Sequence, residues 1–311
     1  MTPEVLIIVG PTASGKSAVA YALAQRLQGE IVSADSMQVY RGAPLLTQQP
    51  PREWQDRVPH HLVACRAPHE SWSAAEFRRV ALPLINDIQA RGRVPLVVGG
   101  TGLYVRALID GLCEAPAAQP HVRARLLEEV RVAGADAAHQ RLAAIDPTSA
   151  AKIHPRDVRR IVRAMEVYEV TGEPLSHRWQ RQSPDAFPHR FLMIGLDRPR
   201  PELYARINAR VERMFADGVV DEARMLAAGS LSHAAQQMLG LPVIIEHLAG
   251  RMTREAALQT VQQQTRQYAR RQLTWFRRDA RIRWVPCEQH APADIAAHIS
   301  RQFASLATSL Q

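Results

Sequence analysis

Val5-Leu6-Ile7-Ile8-Val9 runs directly into Gly10-Pro11-Thr12-Ala13-Ser14-Gly15-Lys16-Ser17, and a helical pattern from Ser17 to Leu27 follows. The octapeptide fits Gly-x-x-x-x-Gly-Lys-Ser/Thr, and its placement between an apolar strand and a helix is as informative as the string itself. Glycines allow a loop whose backbone N–H groups encircle a phosphate, and the helix N-terminus adds positive potential. Lys16 then reaches terminal phosphate oxygens, and Ser17 is placed to ligate Mg²⁺. The stretch reads as a phosphate-binding loop on the first strand of a parallel sheet.

Working outward, further apolar runs mark strands at Ile31 to Ser33, Val94 to Val98, Phe191 to Leu196 and Ile282 to Val285. Between them lies a long amphipathic segment, Ser73 to Ala90, with Ser73 and Glu76 spaced as a capping box and Arg91-Gly92 closing it. Helices follow the fourth strand at about Pro201 to Ala216, Val219 to Ala228 and Arg254 to Arg278. Strands alternating with helices of this length predict a parallel sheet covered on both faces. From Pro116 to Pro188 the pattern changes to helices alone, at His121 to Ala133, Ala137 to Ala144 and Val158 to Thr171. The expected fold is α/β, a P-loop NTPase-like parallel sheet with helices on both faces. Residues 1–115 and 189–311 form that core, and 116–188 form an inserted all-helical domain.

Two acids stand at strand ends, Asp35 in Ile31-Val-Ser-Ala-Asp-Ser36 and Asp197 after Phe191 to Leu196. Asp35 leaves the second strand on the side where the phosphate loop leaves the first, which is where α/β sheets bind ligands. It is expected to act as a general base, or as an acceptor that orients a nucleophile, the alternative being an Asx-turn or helix cap. Asp197, followed by Arg198-Pro199-Arg200-Pro201, is expected to shape the entry to the next helix. A second glycine corner, Gly99-Gly100-Thr101-Gly102-Leu103-Tyr104, puts the Thr101 hydroxyl at the same edge. Arg206 and Arg210, on the helix after the fourth strand, are candidates for reaching an anionic ligand there.

Charge narrows the partners. The chain holds 39 Lys plus Arg against 30 Asp plus Glu, a net charge of +9, and only Lys16 and Lys152 are lysines. A chain so biased to arginine keeps lysine where a compact ammonium is required. Arg266, Arg270, Arg271, Arg277, Arg278, Arg281 and Arg283 are opposed nearby only by Asp279 and are interleaved with Tyr268, Trp275 and Phe276. This is the pattern of a phosphate-binding surface, or else of a solvated arginine-rich helix. Arg156, Arg159, Arg160 and Arg163 form a second cluster at near-helical spacing, with Glu166 able to pair with one of them. Cys65, Cys113 and Cys287 are odd in number and far apart, which disfavours disulfides and a zinc finger. No apolar run approaches the ~20 residues of a membrane span, and no signal-peptide core is present. A cytoplasmic protein is expected.

Taken together these segments resemble the tRNA dimethylallyltransferase family, enzymes that prenylate the adenosine immediately 3′ of the anticodon. The resemblance runs nearly end to end: the phosphate loop, Ser33-Ala-Asp-Ser-Met-Gln-Val-Tyr-Arg-Gly42, Pro59-His-His-Leu62, Ser73-Ala-Ala-Glu-Phe77, Val98-Gly-Gly-Thr-Gly-Leu-Tyr104, Ala151-Lys-Ile-His-Pro155 and Arg270-Arg-Gln-Leu-Thr-Trp-Phe-Arg277. It implies dimethylallyl diphosphate on Gly10 to Ser17 with Mg²⁺ at Ser17, Asp35 as base on the adenosine amine, and Thr101 at the bridging oxygen of the leaving diphosphate. Arg206 or Arg210 would contact that diphosphate. Asp35, Ser36, Met37, Gln38, Thr101, Arg123, Arg159, Arg160, Ile161, Val162 and Arg163 would face the anticodon stem-loop, and the C-terminal cluster adds Arg270 and Arg271 as expected RNA contacts; no membrane and no obligate protein partner are expected. Two departures remove positive charge: Leu46-Thr47-Gln48-Gln49-Pro50 replaces the usual Gly-Thr-Ala-Lys-Pro, and Gly240-Leu241-Pro242 replaces Gly-Tyr and a basic residue. The rival readings are an adenylate prenyltransferase and a P-loop small-molecule kinase using ATP. An RNA-binding GTPase is disfavoured by the lack of a guanine-reading Asn-Lys-x-Asp.

Overall fold

A computed structural model describes residues 4–112, 116, 119–180 and 187–308. In chain order the elements are β1 (Val5–Val9), α1 (Lys16–Leu27), β2 (Gly29–Ser33), α2 (Pro44–Thr47), α3 (Arg52–Arg57), β3 (His60–His61), α4 (Ala74–Ala90), β4 (Val94–Gly99) and α5 (Gly102–Asp110). Then come α6 (Pro120–Ala133), α7 (Ala135–Ile145), α8 (Pro147–Lys152), α9 (Val158–Thr171) and α10 (Leu175–Gln180). The chain returns with β5 (Phe191–Asp197), α11 (Arg200–Ala216), α12 (Val219–Ala227), α13 (Leu241–Leu248), α14 (Arg254–Phe276), β6 (Ile282–Pro286) and α15 (Pro292–Thr308). It divides into two compact units, Met1–Ile109 with Phe187–Gln311, and Asp110–Ala186.

The first unit is built on a six-stranded sheet in the order β3-β2-β4-β1-β5-β6, with every pairing parallel. All five side chains of β1 are fully buried, as a central strand covered on both faces requires. Alternation divides them between two cores. Val5, Ile7 and Val9 pack with Phe77, Ala81, Ile85 and Ile88 of α4, whereas Leu6 and Ile8 pack with Val19 and Leu23 of α1 and Ile295 and Ile299 of α15. The α4 residues recur at helical spacing behind the expected capping box, with Ser73 Oγ accepting from Glu76 N at 3.2 Å and Glu76 accepting from Ser73 N at 3.1 Å.

The five strands expected from sequence are all present with ends shifted by at most two residues. The edge strand β3 was not anticipated, because two residues leave no hydrophobic alternation to detect. Helices α2, α3, α5, α8, α10, α13 and α15 were also not anticipated; five of these seven have eight or fewer residues and too little chain to show a 3.6-residue period. Cys65 and Cys287 are free thiols, and Cys113 lies outside the described residues. Among the described residues no helix is long and apolar enough to cross a membrane.

The second unit has helices α6 to α10 around a core that includes Leu126, Val130, Leu142, Ile161, Met165 and Leu175. Asp146 fastens its turns, accepting from Ser149 N at 2.9 Å and from Ser176 N at 2.9 Å. Ile161 and Val162 are buried here, so their side chains face the bundle core and not, as expected, RNA. Arg159 and Arg160 are exposed on the same helix.

Candidate active site

The order β2-β4-β1-β5 sets four chain exits side by side at the carboxyl edge of the sheet: Asp35, Thr101, the phosphate loop, and Asp197-Arg198. The loop turns through Gly15 at φ 100°, which favours glycine there, and α1 starts at the next residue. Lys16 folds back over the loop, donating from Nζ to Gly10 O at 2.9 Å and Pro11 O at 2.7 Å. Burial brings its ammonium down to about 8, with the charge of Asp35 opposing the drop and Arg210 adding to it.

Helix α11 delivers two more cations. Arg206 Nε donates to Ala13 O at 3.0 Å, and Arg210 Nη2 donates to Thr12 Oγ1 at 2.7 Å. Residues 206 and 210 are four apart and therefore project from one face of the helix. Sequence left open which of the two would contact a diphosphate; both reach the loop. Arg198, which sequence reasoning passed over, joins them: it is 8% exposed and donates from Nε to Ser14 O at 2.9 Å while pairing with Glu202. Burial pulls Arg210 down to about 10 and also lowers Arg206, whose next cause is the like charge of Arg198. Cations desolvated and crowded in this way carry an electrostatic cost that an anionic ligand would remove. Arg210 Nε and Ser14 Oγ are buried with no hydrogen-bond partner among the described residues, as expected of groups that await such a ligand.

On the β2 side, Asp35 Oδ1 accepts from Met37 N at 2.9 Å and Gln38 N at 3.4 Å. The Asx-turn considered as its alternative role is therefore present, and it occupies one carboxylate oxygen. Asp35 also acts electrostatically on Lys16, Arg210 and Tyr268, which places its charge toward the phosphate loop. Thr101 Oγ1 accepts from Ser36 N at 3.0 Å, tying the β4 exit to the β2 exit. Of the residues expected to face RNA, Gln38 is otherwise engaged: its side chain meets Ser33 Oγ at 3.0 Å and Gln48 O at 2.8 Å. Gln49, one of the departures, donates to Tyr40 O at 2.7 Å and serves the same loop. Pro242 opens α13 as an exposed residue in its first turn.

Helix α14 covers the glycine corner. Gln272 accepts from Thr12 N at 2.7 Å and donates to Gly100 O at 2.9 Å. A Cβ at Gly102 would lie 2.2 Å from the Trp275 ring, so only glycine allows this approach. Tyr268, one turn before Gln272, has its phenol pushed up by burial and then by the charge of Asp35, against contacts with Thr101 and Gln272. Neither Tyr268 nor Gln272 was assigned to the site from sequence; their four-residue spacing in a helix was the available signal. Arg270 and Arg271 are exposed on this helix, with Arg271 5.8 Å from the Tyr268 ring. The arginine cluster is less free than its sequence suggests, since Asp197 accepts from Arg277 at 2.9 Å and Asn208 from Arg266 at 2.6 Å. The role expected for Asp197 is corrected accordingly: Pro199 caps α11, and the Asp197 carboxylate holds Arg277.

In the second unit, Arg123 and Arg163 both reach Glu166 at 2.7 Å, and Gln119 N donates to it at 2.8 Å. Burial alone would raise the Glu166 carboxyl, but these donors outweigh it and hold it below the usual glutamate range. Both arginines expected to touch RNA are thus partly committed to neutralising a fully buried acid.

Similarity to known proteins agrees with this geometry. The IPP transferase family model matches residues 38–279, and an isopentenyl transferase model matches residues 3–47. Among curated relatives, the tRNA dimethylallyltransferase of Geobacter metallireducens is 46% identical over 91% of this chain and 92% of its own, and that of Geobacillus thermodenitrificans is 41% identical over 100% and 98%. The crystal structure of the tRNA isopentenylpyrophosphate transferase of Bacillus halodurans, 40% identical, superposes with a TM-score of 0.71 over 97% of this chain and 96% of that one. A eukaryotic dimethylallyltransferase studied acting on tRNA, 26% identical, superposes with a TM-score of 0.79 over 98% and 80%. With matches of this extent, the chain belongs to the IPP transferase family, that of the tRNA dimethylallyltransferases.

Proposed function

We propose that this chain transfers a dimethylallyl group from dimethylallyl diphosphate to the N6 amine of the adenosine immediately 3′ of the anticodon in tRNA, releasing diphosphate. The observation that carries the reading is the convergence of Lys16, Arg206 and Arg210 on one loop, with Asp35 and Thr101 at the neighbouring strand ends. In the reaction the bond between the allylic carbon and the bridging oxygen breaks, its electron pair leaving with diphosphate. The N6 lone pair forms the new C–N bond, and the N6 proton passes to Asp35.

Lys16, Arg206 and Arg210 stabilise the charge that gathers on the diphosphate, which is the larger part of the rate enhancement. Thr101 offers its hydroxyl proton to the bridging oxygen. The free carboxylate oxygen of Asp35 acts as the base, a contribution of ~10² to 10⁴ in rate. The target base has to leave the loop stack to reach this edge of the sheet, and exposed Arg159, Arg160, Arg270 and Arg271 hold the RNA backbone while it does.

Mg²⁺ suits this donor set. The cation takes one or two protein oxygens together with phosphate oxygens and water. Ser17, exposed in the first turn of α1, would supply one such oxygen, and no group of three His, Cys, Asp or Glu that could hold a metal unaided occurs among the described residues. When bound, the ion would neutralise part of the diphosphate charge.

The test is incubation of the purified protein with labelled dimethylallyl diphosphate and tRNA, AMP or no acceptor. Label in tRNA alone is the expected result. Label in AMP would instead assign an adenylate prenyltransferase, and no transfer together with phosphorylation by ATP would assign a kinase.

A further inference from the structure

We infer that Gln272 is a positioning residue that sets the spacing between the phosphate loop and Thr101; this rests on the reaction proposed above. The phosphate loop leaves β1 and the Thr101 corner leaves β4, two paired neighbouring strands with Val9 opposite Gly99. Past that pair the ladder ends, and nothing in the sheet dictates how far apart the two loops stand. The Gln272 carboxamide, 6% exposed, spans the gap: its Oε1 accepts from Thr12 N at 2.7 Å and its Nε2 donates to Gly100 O at 2.9 Å.

No other side chain of that length does both. Glutamate, when ionised, accepts but cannot donate, methionine does neither, and asparagine is one methylene short. The fit is tight on the receiving side as well, since a Cβ at Gly100 would lie 2.2 Å from Gln272 Nε2. Each end of the bridge is one residue from a group proposed to act on the diphosphate. Thr12 carries the hydroxyl that holds Arg210, and Gly100 precedes Thr101. The bridge also commits the Thr12 N–H to Gln272 and removes it from the amides available to a phosphate, so the arginines of α11 carry that part of the recognition. Gln272 touches neither the allylic carbon nor the amine, and it acts through the placement of Thr101 against the bond that breaks.

An interaction of that kind matters in the transition state more than in ground-state binding, which separates it from a general packing role. With tRNA and dimethylallyl diphosphate saturating, Gln272→Met should lower kcat by ~10-fold or more while changing the inhibition constant for inorganic diphosphate less than ~3-fold. An unchanged kcat, or a loss of diphosphate affinity equal to the loss in kcat, overturns the inference. If that variant does not fold, Gln272→Glu decides, because the acid regains its donor only when protonated. The ratio of native to variant kcat should then shrink as pH is lowered from about 8 to about 6, and a flat ratio overturns the inference. The native protein in the same assay keeps the two readings apart: if it fails to label tRNA, the proposed reaction is what has failed.

Discussion

Arg210 Nη2 donates to Thr12 Oγ1 at 2.7 Å, joining residues 198 positions apart and bringing a half-buried cation from α11 onto the phosphate loop. The loop alone is a general phosphate site. This contact adds a second cation beside Lys16, as the proposed diphosphate substrate requires.

Replacing Arg210 with Ala should therefore act on the diphosphate substrate. A hydrogen bond to a charged group contributes roughly 1.5 to 3 kcal/mol, so kcat/KM for dimethylallyl diphosphate should fall by ~10- to 150-fold. Affinity for tRNA, measured by filter binding without diphosphate, should stay within a few-fold. Arg210→Lys should recover only part of the loss, since a single ammonium cannot reproduce the guanidinium fork.

Asp35→Asn separates the two roles of this carboxylate. The amide oxygen can still accept from Met37 N and Gln38 N, so the turn that Asp35 Oδ1 now holds should survive. The base is lost, and kcat should drop ~10²-fold or more with the thermal midpoint and tRNA affinity little changed. A variant of near-native rate would reduce Asp35 to its turn.

How much of this was legible before the fold? The phosphate loop and the α4 capping box are written in contiguous residues, and so is the strand that leads to Asp35. The rest depends on which strands become neighbours. Arg198 stands next to Ser14 only because β5 pairs with β1, and Gln272 meets Thr12 across 260 residues. Charge counts along the chain likewise gave the C-terminal arginines a single local opponent, Asp279, whereas Arg277 is held by Asp197 from 80 residues away. The burial of Ile161 and Val162 between exposed Arg160 and half-buried Arg163 follows from helical periodicity, which a contiguous RNA-contact segment ignores.

Lys16 gives the reaction a pH signature. Its ammonium, brought to about 8 by burial, is the form proposed to bind diphosphate. In the free enzyme that charge is present below pH 8 and lost above it, so kcat/KM for dimethylallyl diphosphate should bend downward near pH 8. Bound diphosphate favours the charged form, so kcat at saturation should bend at higher pH. Stability has the opposite sign. Because the unfolded lysine titrates near ~10.4, the unfolded chain binds more protons between the two values, and this group adds stability as pH rises through that window. Calorimetry across the range checks the second statement and initial rates the first.

The helical unit offers a sharper test than exchanging its arginines together. Arg159 is exposed, whereas Arg163 donates to Glu166 at 2.7 Å and to Pro116 O at 2.7 Å. Arg159→Ala should leave stability within ~0.5 kcal/mol, as a surface change does. If Arg159 neutralises one RNA phosphate, the same variant should reduce the slope of log affinity against log salt by about 0.7 to 0.9. Arg163→Ala should act first on folding. It leaves the fully buried Glu166 carboxylate with one arginine in place of two, a loss of about 2 kcal/mol in urea unfolding, smaller than removing every partner because Arg123 remains. Arg163→Ala combined with Glu166→Gln should recover much of that loss, since the buried charge goes with its partner. Measuring the salt slope on this double variant then isolates the contribution of Arg163 to RNA. A slope equal to that of the native protein would assign Arg163 to the helical core alone and leave Arg159 and Arg160 as the RNA contacts of α9.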